Sequence, residues 1–418
     1  MGAPHIVLYG HFGVGNLGND TTLEAALYNI RKYQPSATVT CVCRGPRVIA
    51  ERFGIATLPV DVNEDRDPGE ATGYNSNIII RLMVRVADEL DFWVRRTFWF
   101  RSVDQFIVVG TGVIYDSGVP PWNMPYDLFK WCRAAKLGGA KVVFMSVGAG
   151  PIEHPASRVL MLNALRGAAY RSYRDVASIN FLQSVGFDTK ADPWYPDVVF
   201  SLPVPVDASA YPLSNPPQRV GLGVIAYYGP HHDTVNGEPI YREYVGKMKR
   251  FVHWLLSQGY YVRLLTGDLE NDPQPAHQLL EFVRAEGSPD WQERIIVEPI
   301  TTVDELSHQI VQTDIVIASR FHNLIAALML ERPVISVGFH EKNDALMAEI
   351  GFQAYCQDIE QLSVERLIEQ FQSLAADLNQ TSQRIQQKCA QYRHMLNEQY
   401  REVLCPEVEK TSVPLRST

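Results

Sequence analysis

The sequence predicts an α/β protein of two Rossmann-like domains, each with a parallel sheet, followed by C-terminal helices. Three observations carry this. Short apolar runs rich in Val and Ile alternate with amphipathic helical stretches over most of the chain. Glycine turns follow several of the runs, as they do where a strand ends and a helix begins. A proline-rich stretch with little periodicity, 201–218, splits the alternation into halves, and a length of 418 residues suits two domains.

In order, His5–Gly10 (HIVLYG) reads as a buried strand. The stretch TTLEAALYNIRKY from Thr21 reads as a helix, with a Thr21/Glu24 capping box and a stop at Pro35. Between them lies Gly13-Val14-Gly15-Asn16-Leu17-Gly18, a G-x-G-x-x-G that presents backbone N–H groups at a helix start, where phosphate or carboxylate would sit. A dinucleotide role asks for an acidic residue ending the second strand. That strand, Ala37–Cys43, runs into Arg44-Gly45-Pro46 instead. The loop is therefore read as an anion or substrate loop, against the plainer reading of a tight connecting turn.

Further strands are expected at Asp104–Gly110, Ala140–Gly150 and YRSYRD from Tyr170. Helices are expected at Pro125–Gly139, with a glycine stop, and over ASRVLMLNALRGA and VASINFLQSVG. After 201–218 the pattern resumes with RVGLGVIAYYG from Arg219 and continues to NDALMAEIG, including a helix capped by Thr302 with Glu305. The expected organisation is 1–200, a linker 201–218, a second domain 219–358, helices 359–405 and a flexible tail 406–418. A cleft is expected between the domains, with ligands beyond the carboxyl ends of the strands.

Composition bounds the function. The chain is 46% hydrophobic and 20% charged, with a net charge of −9, which argues against a broad nucleic-acid surface. The cysteines at 41, 43, 132, 356, 389 and 405 lack metal-ligand spacing and read as free thiols; neither a metal nor a cofactor is expected. Asn77–Arg101 is apolar, aromatic and basic, too often interrupted by charge to span a membrane. It reads as a partly buried amphipathic helix or, alternatively, as a peripheral contact with lipid. The expected location is cytoplasmic, reaching the inner membrane face if that contact forms. Oligomeric state is left open.

The richest stretch is Asp314–Asp344, DIVIASRFHNLIAALMLERPVISVGFHEKND. A strand ends at Ala318-Ser319, and Arg320, Phe321, His322 and Asn323 fall at the strand–helix junction. Lys342 follows the next strand. A planar bidentate donor, a titratable imidazole and helix-start N–H groups suit a small carboxylate or phosphate. The plainer readings are an interdomain salt bridge for Arg320, a helix-start residue for His322 and a surface lysine for Lys342.

Taken in order, these pieces resemble the polysaccharide pyruvyl transferase family. GHFGVGNLGND is similar to its opening loop (Gly13, Gly15, Asn16, Gly18, Asp20), although Asn19 stands between the glycine and the aspartate. VVGTGVIYDSG resembles its second loop (Gly110, Gly112, Asp116), with Thr111 where a third glycine is common. YRSYRDVASINFLQSVGF and YPDVVFSL resemble the stretch carrying Arg174, Asp175, Ser178 and Asp197. SRFHNLIAALMLERPVISVGFHEKND is similar to the Arg-x-His signature and the downstream lysine.

The resemblance implies a GT-B-like fold and phosphoenolpyruvate as co-substrate. It further implies transfer of a pyruvyl ketal to a cell-surface glycan or its lipid-linked precursor. Arg320, Phe321, Asn323 and Lys342, with His231 and His232, would bind the donor. His322 would be the acid/base, and Asp20 or Asp116 would activate an acceptor hydroxyl. Gly13, Gly15, Asn16, Gly18, Gly110, Gly112 and Arg174 would line the acceptor loops. Two other readings remain: a GT-B glycosyltransferase using a sugar nucleotide, with Glu341 as a ribose contact, and a non-catalytic protein that binds a phosphorylated metabolite.

Overall fold

The computed structural model describes residues 2–61, 78–116, 118–204, 206–229, 234–267, 272–339 and 341–405, excepting the side chains of 78–82 and 341. The chain forms two compact units. One holds the residues up to Val14, Asn19–Ser201 and the chain from Met395 on; the other holds Gly15–Gly18 and Leu202–His394.

The first unit runs β1 (His5–Tyr9), α1 (Leu17–Tyr33), β2 (Thr38–Cys43), α2 (Pro46–Phe53), β3 (Ala56–Pro59), α3 (Ile78–Trp99), β4 (Gln105–Val109), β5 (Gly112–Ile114), α4 (Met124–Gly138), β6 (Lys141–Ala149), α5 (Pro155–Arg166), β7 (Tyr170–Tyr173) and α6 (Val176–Ser184). Its sheet is parallel, in the order β3-β2-β1-β4-β6-β5, with β7 also on β6. The strand order reverses between β1 and β4, and the loops that follow these two strands carry the two glycine motifs. Such a switch point is where an open parallel sheet leaves a crevice for ligand. Tyr9, Phe100, Phe106, Trp131, Phe144 and Tyr173 fill the core, and the Trp131 indole N–H donates to the Val60 carbonyl at 3.0 Å.

Two sequence expectations shift here. α1 begins at Leu17 rather than near Thr21, because Asn16 supplies the cap: its Oδ1 accepts from the Gly18 N–H at 3.1 Å. Thr21 is buried inside the helix, and Glu24 instead pairs with Arg52 at 3.7 Å. α3 is a helix as expected and buries Phe92 edge-on to Trp131, 5.2 Å between centroids. Met83, Val86, Leu90, Val94 and Phe98 stand exposed along one side of it. Among the described residues no helix is long and apolar enough to cross a membrane.

The second unit runs β8 (Arg219–Gly223), α7 (Glu238–Ser257), β9 (Tyr261–Leu265), α8 (Pro273–Glu286), α9 (Pro289–Arg294), β10 (Ile295–Val297), α10 (Val303–Val311), β11 (Ile315–Ala318), α11 (Phe321–Met329), β12 (Val334–Gly338), α12 (Glu341–Glu349), β13 (Cys356–Asp358), α13 (Val364–Ala376) and α14 (Leu378–Leu404). The sheet is again parallel, ordered β10-β9-β8-β11-β12-β13, so its switch point lies between β8 and β11. The Thr302/Glu305 capping box forms as read from the sequence.

The proline-rich segment is pinned to this unit. Fully buried Asp314 accepts from the N–H groups of Ser214, Gln218 and Arg219 at 2.8–2.9 Å, and from Arg219 Nη2 at 2.9 Å. Burial pushes its carboxyl up, but the Arg219 side chain and these backbone donors outweigh that and hold it below the usual carboxylate value. From Met395 on, α14 belongs to the first unit, where buried Gln399 bonds to Ser146 and Ser172.

Candidate active site

In the second unit β11 carries the chain, fully buried, to Ala318 and Ser319. Ser319 Oγ lies 3.2 Å from the Tyr244 hydroxyl, and burial pushes that phenol up to about 12, so it keeps its proton at neutral pH. Arg320 is the N-cap of α11, with φ −92° and ψ 137°; the extended geometry turns the chain off the strand tip and starts the helix at Phe321. The Arg320 guanidinium reaches Asp272: Nη2 donates to Oδ1 at 2.6 Å, and Nε to the two oxygens at 3.2 and 3.1 Å. Arg320 therefore does form a salt bridge, but within its own unit.

The first turn of α11 gathers the other expected donor residues. The His322 ring stands edge-on to Phe321, 5.5 Å between centroids, and Lys342 Nζ from the start of α12 lies 5.0 Å from the centre of the same Phe321 ring. Asn323 is fully buried, and neither its Oδ1 nor its Nδ2 has a hydrogen-bond partner. Its carboxamide is wedged between two glycines. A Cβ on Gly223 would fall 2.9 Å from Nδ2, and one on Gly267 would fall 2.6 Å from Oδ1. The Gly15–Gly18 segment groups with this unit, and a Cβ on Gly18 would fall onto the His322 imidazole. His231 and His232 lie outside the described residues.

At the first unit's switch point the carboxylates are engaged. Asp20 Oδ1 accepts from the Gly13 N–H at 2.8 Å, and Oδ2 accepts from Arg52 at 3.3 Å. Burial raises the Asp20 carboxyl above its usual value, and the Gly13 and Arg52 contacts offset only part of that. Asp116 accepts from the N–H groups of Glu153 and His154 at 2.7 and 2.9 Å, bracing the loop after β6. Arg174 lies across Gly148, where a Cβ would meet its guanidinium at 2.7 Å, and beside Asp175 and Asp197 at 3.5 and 4.0 Å. Gly112 is next to it, with a Cβ position 3.6 Å from Nη2.

Gly13 and Gly15 both adopt φ +78°, and a Cβ on Gly13 would fall 2.5 Å from the Gly45 carbonyl, so the opening loop needs glycine for both backbone reasons. Gly110, at φ +57°, lets the tip of β4 pack against Thr22 of α1. His11, in the same opening loop, was not singled out in the sequence. Burial, and then the Arg44 charge, lower its imidazole to about 4, so it is neutral at physiological pH.

Residues 16–341 match the family model for polysaccharide pyruvyl transferase. The chain belongs to that family. The matched region of this pyruvyl transferase family member takes in Asn16, Gly18, Asp20, Asp116, Arg174 and the whole Arg320–Asn323 turn, and ends one residue before Lys342. No curated protein matches it in sequence.

Solved structures similar to it include a putative UDP-N-acetylglucosamine 2-epimerase from Listeria monocytogenes. That match has a TM-score of 0.60 at 13% identity and covers 97% of each chain. A UDP-GlcNAc 2-epimerase from Neisseria meningitidis bound to UDP-GlcNAc matches with a TM-score of 0.55 at 11% identity, over 91% of this chain and 94% of that one. A lipopolysaccharide outer core galactosyltransferase matches with a TM-score of 0.54 at 10% identity, over 96% and 98%. At such identities the likeness establishes the fold, which is GT-B-like; membership of the pyruvyl transferase family makes the protein a transferase.

Proposed function

We propose that the protein transfers a pyruvyl ketal from phosphoenolpyruvate to two hydroxyls of a sugar in a cell-surface polysaccharide or its lipid-linked precursor, releasing phosphate. The observation that carries this reading is the cluster on the first turns of α11 and α12. Two cations, Arg320 and Lys342, an imidazole, His322, and a buried amide without a protein partner, Asn323, belong to one strand-tip region. A donor with a carboxylate and a phosphate needs such fixed positive charge.

In the reaction the methylene carbon gains a proton and becomes a methyl group. Two C–O bonds form at the central carbon, and its bond to the phosphate oxygen breaks. His322 delivers the proton to carbon; one hydroxyl proton resupplies it, and the other leaves with phosphate. Arg320 and Lys342 hold the anion and stabilise the leaving phosphate. Asp20, with its raised carboxyl, is the proposed base for the acceptor hydroxyl. Asp116, both of whose oxygens accept backbone N–H groups, supports that reading by shaping the neighbouring loop.

A thermal-shift comparison of phosphoenolpyruvate, UDP-sugars and NADPH tests the donor. Stabilisation by phosphoenolpyruvate, with phosphate release on adding a glycan acceptor, is the expected result. Stabilisation by a UDP-sugar alone would replace this reading with glycosyl transfer. Phosphoenolpyruvate binding without turnover on any glycan would leave a metabolite-binding protein.

A further inference from the structure

We propose that Asp272 is the positioning residue of the donor site, setting the plane of the Arg320 guanidinium; the proposal rests on the donor reading above. Asp272 occupies the N-cap position of α8 and is fully buried. An aspartate there ordinarily turns its carboxylate onto the first N–H groups of its own helix. This one makes no such cap bond. Its oxygens go instead to Nε and Nη2 of Arg320, at 2.6–3.2 Å, and to the Gly267 N–H at 3.1 Å.

The geometry suits orientation rather than general stapling. The carboxylate end of the pair is enclosed, whereas the Arg320 side chain is 25% exposed, so the buried partner fixes the direction in which the other points. The contact uses the Nε–Nη2 edge of the fork, which defines the guanidinium plane; an ammonium has no such plane to set. Gly267, whose N–H donates to Asp272, is also the surface on which the neighbouring side chains rest. A Cβ there would fall 2.6 Å from Asn323 Oδ1 and 2.9 Å from Arg320 Cγ. One carboxylate thus holds both the arginine and the Gly267 backbone against which the buried amide packs.

The test is a double-mutant cycle of Asp272→Asn and Arg320→Lys, read by calorimetric titration with phosphoenolpyruvate and by steady-state kinetics in both substrates. Asp272→Asn should raise the phosphoenolpyruvate Kd at least tenfold while leaving the acceptor KM within about twofold. The double variant should be little worse than Arg320→Lys, because the two changes remove one interaction. The Arg320 Nε–H resonance of the free protein should lose its protection in Asp272→Asn. Should that variant not fold, Asp272→Glu, which keeps the charge and moves it by one methylene, carries the same expectations. A folded Asp272 variant with parental phosphoenolpyruvate affinity, or fully additive effects in the cycle, overturns the positioning role and leaves the donor reading standing. A parent protein that binds no phosphoenolpyruvate overturns the donor reading and this proposal with it.

Discussion

The two switch points are built alike in backbone and differ in the charged side chains they gather. In the first unit the strand tips meet carboxylates, Asp20, Asp116, Asp175 and Asp197, most of them closed onto backbone N–H groups or arginines. In the second they meet Arg320 and Lys342, with one carboxylate, Asp272, turned onto the arginine. The same strand–loop–helix device therefore gathers different side chains in the two units. In the proposed reaction the cationic tip would take the trianionic donor, and the acidic tip would take the sugar whose hydroxyl must lose a proton.

The comparison breaks first at His322. His322→Asn should lower single-turnover rates by about 10²–10⁴-fold, the usual worth of a positioned proton donor, and leave donor affinity nearly unchanged. Gly18→Ala should act in the same direction, because its Cβ would displace the imidazole; a variant at the parental rate would separate that loop from the chemistry. Next comes Arg320. Truncation to Ala strands the buried Asp272 charge and should cost about 3–5 kcal/mol of stability in denaturant titration, besides weakening the donor. Arg320→Lys keeps the charge and should isolate the loss of the planar fork, seen as a raised phosphoenolpyruvate Kd in a folded protein.

A smaller effect is expected at Asp314. Asp314→Ala should destabilise the protein by about 1–3 kcal/mol at neutral pH, since it orphans several backbone donors while Arg219 can still reach water. The folded-state carboxyl is depressed, so its contribution is present above the ordinary aspartate value of about 3.9 and is lost as pH falls through the folded value. The stability gap between parent and variant should accordingly close below about pH 4. Asp20 is read from the pH profile rather than from stability. If it is the base, the acid limb of kcat lies above the ordinary aspartate value, because burial raises its carboxyl, and Asp20→Asn removes that limb. An acid limb that survives in Asp20→Asn would move the role elsewhere, with His11 the next group to test.

The alternation of strands and helices was legible because most of the apolar runs are long enough to be buried and several are punctuated by glycine or proline. The Arg320–His322 turn was legible because polar residues stand directly after a fully apolar strand. Asp272 was not. It lies 48 positions from Arg320, in a run that also holds Asp268 and Glu270, and no local pattern says which carboxylate meets the arginine. The start of α1 was misplaced for a related reason. Thr21 and Glu24 satisfy the capping pattern, but Asn16, five positions before Thr21, supplies the cap. The fate of Glu24, paired with Arg52 from α2, depends on a contact that local pattern does not encode.

Ser146 takes a left-handed φ of 49°, uncommon for a residue with a side chain, at an irregularity between β6 and β7. Its N–H is held by the Ser172 hydroxyl, and its own hydroxyl donates to Gln399, whose amide returns to Ser172. All three side chains are fully buried. During synthesis the first two members of this ring leave the ribosome more than two hundred residues before the third. Until α14 is made, the buried Ser146 hydroxyl in the amino-terminal sheet lacks the acceptor that Gln399 supplies. Ribosome-bound chains halted before Gln399 should be open to protease in β6 and β7, and chains released beyond Leu404 should be closed.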